Sequence, residues 1–200
     1  LGIGSEEITG ILVDTFLNGD AWKGDNFVGS VIGAMKEATP ILSKKARELD
    51  GEKLDAALGR LVDIDTKYPG TVKWHSSWGA YAVKRLMLIL EGSGSDFEKA
   101  WASTTGAPTS QLKKEELQEL SYVKAIILKC GPTAASHLIP HINENIAFQI
   151  FVDITKDLAS NEAEKIAAKL VTRLKRRNPM AKLMKNAPND DRISQALIAL

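Results

Sequence analysis

The 200-residue sequence predicts an all-α globular protein of about nine to eleven helices, arranged as two helical lobes. Three observations predict it. Apolar residues recur at three- and four-residue spacing in nearly every segment. No segment alternates apolar and polar residues with period two, so no sheet is expected. Glycines, prolines and capping residues fall between the apolar stretches, as helix punctuation does. Hydrophobic residues make up 44% and charged residues 26%, the balance of a folded domain rather than a disordered chain.

Taken in order, Ser5 caps a first helix with Glu6 and Glu7 in its first turn. Ile8, Ile11, Leu12 and Phe16 form its expected inner face, and Asn18-Gly19 stops it. Phe27, Val31, Ile32 and Met35 mark a second helix, and Pro40 opens a short third reaching Leu49. Leu54, Ala57, Leu58, Leu61 and Val62 make a fourth, ended by Tyr68-Pro69-Gly70. From Lys73 to Glu91, apolar and aromatic residues cover so much of the circumference that a central, largely buried helix is expected. Gly92-Ser93-Gly94 is its expected end, and Ser95 to Glu98 reads as a capping box opening a further short helix.

Ser103 to Ser110 is the expected boundary between an N-terminal lobe, 1–102, and a C-terminal lobe, 111–200. Gln111 to Cys130 reads as a long helix stopped by Gly131-Pro132, followed by a helical turn carrying Ala134, Ala135 and Leu138. Pro140 opens an apolar helix with Ile142, Ile146, Phe148, Ile150, Phe151 and Ile154. The β-branched and aromatic run from Ile146 to Ile154 would also suit a strand, but its flanks are helical. Ser160 caps the next helix, which Pro179 must end. A terminal helix begins near Asn189 or Asp190 and carries Ile193, Ala196, Leu197 and Leu200.

Net charge is +1, yet residues 1–100 carry −3 and residues 101–200 carry +4. Between Lys165 and Lys185 there are eight basic residues and no acid. Lys165, Lys169, Arg173 and Arg177 are spaced i, i+4 and form one stripe on a helix whose opposite face is Ile166, Leu170, Val171 and Leu174. Like charges at that spacing repel. Such a helix is either a solvated face complementing its own dipole or a surface that meets an anion, and a phosphodiester backbone is the expected anion. Lys165, Lys169, Arg173, Arg176 and Arg177 are therefore the expected nucleic-acid-binding residues, with Lys84 and Arg85 secondary. The latter two belong to a cluster with Lys73, Trp74, His75, Trp78 and Tyr81. That cluster is either a core helix with snorkelling cations or an aromatic platform for single-stranded bases.

The residues argue against catalysis. His137, His141 and Glu144 are metal-ligand types, but Pro140 breaks the helix that would align the two imidazoles, and no metal or cofactor is expected. Cys130 has the residue type of a nucleophile, yet the C-terminal end of an apolar helix raises a thiol pKa. Asp63 and Asp65 point to different helix faces. No Gly-x-Ser-x-Gly elbow or P-loop lysine is found. One Cys excludes a disulfide framework, the acidic first ten residues do not read as a signal peptide, and no apolar run nears the roughly 18 residues of a membrane span.

The expected function is that of a non-enzymatic, RNA-binding, self-assembling protein of nucleocapsid or coat type. Its expected partner is single-stranded RNA. Its terminal apolar helix would dock on a neighbouring copy, and its location would be cytoplasmic, or the virion for a viral coat. The alternatives are an apolar-ligand carrier, with a cavity between the Trp74–Leu90 and Ile142–Leu158 helices, or a protein-interaction domain.

Overall fold

The protein is described from a computed structural model, which covers residues 5–19, 27–102, 114–176 and 188–200. Over 92–102, 114–118, 174–176 and 188–191 only the backbone is described. Among the described residues there are ten α-helices and no strand, so the fold is all-α. The Ile146–Ile154 run is helical, with Ile146, Ala147, Ile150, Phe151 and Ile154 buried along one face.

Residues Leu1–Trp74 form one compact unit and His75–Leu200 a second. The first contains α1 (Ser5–Asn18), α2 (Phe27–Gly33), α3 (Ala38–Ala46) and α4 (Gly51–Lys67). Leu54, Ala57, Leu58, Leu61 and Ile64 of α4 are buried against Ile32 of α2 and Leu42 of α3, with α1 packed on α2 and α3. Phe16 of the expected inner face of α1 is buried and Leu12 half-buried, but Thr9, Val13 and Leu17 complete that face while Ile8 and Ile11 lie exposed. Apolar residues surround most of α1, so its partners choose the buried stripe. Thr9 is admitted because its hydroxyl donates to the Ser5 carbonyl at 2.8 Å.

After α4 the chain turns through Gly70, whose φ of +78° suits glycine. Buried Asp65 ties this loop down. Its Oδ1 accepts from the Gly70 and Val72 amides at 3.1 and 3.4 Å, and its Oδ2 accepts from Trp74 Nε1 at 3.4 Å. Trp74 thus precedes the central helix instead of belonging to it.

The second unit comprises α5 (Ser76–Ala102), α6 (Lys114–Cys130), α7 (Pro132–Leu138), a 3-10 turn (Ile139–His141), α8 (Asn145–Thr155), α9 (Ser160–Arg176) and α10 (Pro188–Ile198). His75 caps α5, its Nδ1 accepting from the Ser77 amide at 3.3 Å. The helix runs on through Gly92-Ser93-Gly94, where an end was expected. A glycine in a helix costs about 1 kcal/mol against alanine, whereas a fresh helix must repeat an unfavourable nucleation. Packing of α5 on α6 and α7 places it with the C-terminal helices; the boundary expected at 103–110 lies outside the described residues.

Gly131, at φ +51°, and Pro132 end α6 and open α7. Short α7, with Ala134, Ala135 and Leu138 fully buried, sits among α5, α6, α8 and α9. Pro140 is the second residue of the 3-10 turn rather than the start of a helix, and α8 begins only at Asn145. At the start of α9, Glu162 reaches back to the Ala159 amide at 3.4 Å, so the cap lies one residue before Ser160. Terminal α10 packs on α8 and α9, with Ile193 and Ala196 fully buried.

Candidate nucleic-acid interface

The basic stripe lies on one edge of α9. Ile166 and Leu170 face inward and are buried, while Val171, expected beside them, is 36% exposed. The 100° step per residue then carries Lys165, Lys169 and Arg173 along the edge facing α7 and the 3-10 turn. Lys165 is exposed. Lys169 Nζ donates to Ser136 Oγ of α7 at 2.8 Å. Ser136 in turn donates to the Pro132 carbonyl at 3.2 Å. The Arg173 guanidinium donates to the Pro140 carbonyl at 2.9 Å.

Between α7 and α9 runs a groove of about 540 Å³. Thr133, Ser136 and exposed His137 line the α7 wall; Lys165, Lys169 and Glu162 line the α9 wall. Glu162 is the acid of this groove, and its carboxylate is engaged with the Ala159 amide. Lys169 meets a hydroxyl, and one contact of Arg173 is a carbonyl. The neutral acceptor orients Lys169 without cancelling its charge, and a lysine retains two further donors after one hydrogen bond. With the Ser136 proton engaged on the Pro132 carbonyl, the Thr133 hydroxyl, the His137 ring and the ammonium groups of Lys165 and Lys169 remain as donors that phosphate oxygens accept from.

Arg177 and the side chain of Arg176 lie outside the described residues. The secondary candidates separate: Lys84 is exposed, whereas Arg85 pairs with Glu119 at 2.7 Å. The aromatic cluster does not form one platform. Trp78 is 1% exposed and in the core, Trp74 serves Asp65, and His75 caps α5. Ser136, Thr133 and His137 were missed as partners of the stripe because a groove across two helices leaves no mark in linear spacing.

Among the described residues no three His, Cys, Asp or Glu side chains converge on a metal position. Cys130 is buried, its Sγ hydrogen-bonded to the His75 carbonyl at 4.0 Å, and burial pushes its thiol up to about 12. No family model, curated protein or solved structure was found that matches this chain.

Proposed function

We propose that this is a non-enzymatic RNA-binding structural protein of nucleocapsid or coat type, which holds the single-stranded RNA backbone along the α7–α9 edge. The observation that carries the reading is the row Lys165, Lys169 and Arg173 at one-turn intervals, with Lys165 exposed and Lys169 set on a neutral hydroxyl, beside a groove of hydroxyls and imidazole. A phosphodiester chain presents a charge at every nucleotide and asks for such a row and little base-specific contact. The α7–α9 groove carries Lys165, Lys169, Thr133 and Ser136 on its walls, which suits an anion.

Self-association through α10 belongs to the proposal: Ile193 and Ala196 are buried on α8 and α9, but Ile198 is 85% exposed and Leu197 and Leu200 are only half-buried, which leaves apolar surface for a neighbouring copy. The test is fluorescence anisotropy of a labelled single-stranded RNA across a salt series. For Lys165→Ala/Lys169→Ala/Arg173→Ala the slope of log K against log salt is expected to fall by about 0.7 per lost phosphate contact, about 2 in all. An unchanged affinity and slope would remove the reading. Size-exclusion chromatography read at 260 and 280 nm, with and without nuclease, is expected to show large RNA-dependent species.

A further inference from the structure

The first unit holds a second basic groove, of about 690 Å³, between α3 and the loop after α4. Four cations line it: Lys36, Lys44, Arg47 and Lys73. Among the described residues no carboxylate lines it, although this unit is the acidic part of the chain. The first three cations follow one face of α3 and its flanks, with Thr39 and Ser43 between them at helical spacing. Lys73 and Thr71 come from the opposite wall, the loop that Asp65 holds by its three hydrogen bonds.

The hydroxyls are the informative groups. Thr39 Oγ1, Ser43 Oγ and Thr71 Oγ1 are all buried and have no hydrogen-bond partner. Thr39 is only 7% exposed. A buried hydroxyl without a partner is costly, and three in one groove call for an explanation. Elsewhere in this chain helical hydroxyls turn back onto the carbonyl four residues earlier, as Thr9, Thr15, Ser136 and Thr172 do. Ser43 of α3 does not. Hydroxyl donors together with uncancelled cations match a compact anion with several acceptor oxygens. A carboxylate offers two such oxygens, too few for these donors, whereas a phosphate group offers three or four and suits the planar fork of Arg47.

We infer that this groove is a binding site for a phosphate group carried by a small ligand. Its volume falls in the range of small-molecule sites, about 300–1,000 Å³, and leaves room for an ester substituent. The site is separate from the α9 stripe and does not depend on it.

The test is isothermal titration calorimetry of the full chain with inorganic phosphate, adenosine monophosphate and adenosine. One saturable site is expected for the two phosphates and none for adenosine. Tighter binding of the monophosphate would mark a phosphate ester as the natural source, and equal binding free phosphate. Lys44→Ala/Arg47→Ala is expected to weaken binding more than tenfold. Thr39→Val removes one charge-assisted hydrogen bond and is expected to weaken binding about tenfold. It should leave Tm unchanged or raised, because the free protein gives that hydroxyl no partner; a merely structural hydroxyl would lower Tm. Lys165→Ala/Lys169→Ala is expected to bind phosphate as the parent does. Absence of saturable binding by either phosphate, or variants that bind like the parent, would overturn the inference.

Discussion

At the scale of single residues, burial decides what Cys130 can do. Its thiol is raised from the ordinary 9.0 to about 12 by desolvation alone, in a position packed against α5. The folded chain therefore keeps this proton at pH values where the unfolded chain gives it up. The resulting stability is fully present below pH 9 and is lost as pH rises towards 12. Denaturant midpoints are expected to fall between pH 8 and pH 10, and to fall less in Cys130→Ala. Iodoacetamide should label the native thiol far more slowly than the unfolded one at pH 8. Rapid native labelling would contradict the assignment of Cys130 to packing. Asp153 shows the opposite balance. Burial works against its charge, but hydrogen bonds from Lys156 at 2.8 Å and Lys124 at 3.3 Å outweigh it and hold the carboxyl below its ordinary 3.8.

At the scale of elements, close approach fixes how α5 meets its neighbours. A Cβ on Gly79 would stand 3.1 Å from Cys130 Cβ and 3.2 Å from both Ala134 Cβ and the Ala134 amide nitrogen. These are contacts with backbone and backbone-anchored atoms, which cannot rotate away. Gly79→Ala gains helix propensity of about 1 kcal/mol yet is expected to destabilise the protein by about 1–3 kcal/mol net, because overpacking exceeds propensity. Urea unfolding followed by circular dichroism measures it, and a stabilised variant would show that α5 and α7 can separate freely. In the sequence this glycine looks like a weak point in an apolar helix; only the position of α7 explains it.

At the scale of the whole molecule, α10 divides its apolar residues between the fold and the surface. Its apolar stripe would be an exposed strip in isolation, which is why a docking partner was expected. Part of that stripe docks on the chain itself, while Ile198 stays 85% exposed. Ile193 and Ala196 are buried on α8 and α9, and Arg192 binds the Asn143 carbonyl at 2.7 Å, hydrogen-bonds Asn145 and lies over the Phe148 ring. Ile193→Ala is expected to cost about 2–5 kcal/mol of stability, as large-to-small core changes do. Thermal unfolding measures that loss. Size-exclusion chromatography of the still-folded variant should show the parent's oligomeric state, and a variant of parental stability that no longer assembles would tie assembly to the Ile193 face rather than to exposed Ile198.

Local chemistry determined most of the helices. Asn18-Gly19, Tyr68-Pro69-Gly70 and Gly131-Pro132 end helices in the structure because their backbone restrictions act wherever the chain goes. The buried positions of α4, α7 and α8 follow from apolar periodicity, since a stripe that narrow has one face to hide. The basic edge of α9 was legible for the same reason, as i, i+4 spacing is a property of the helix alone. Tertiary structure decided the rest. It chose Thr9 over Ile8 on a helix apolar nearly all round, carried α5 past its glycines and turned α10 inward. It also set α7 against the α9 stripe. The Lys36–Arg47 groove shows the reason most clearly. Glu37 and Glu48 are interleaved with its cations in sequence, so the cations form no acid-free run like that of α9. They stand apart from those acids only when α3 meets the loop held by Asp65. Spacing along one helix is local information, whereas which helix faces which is settled by packing over the entire unit.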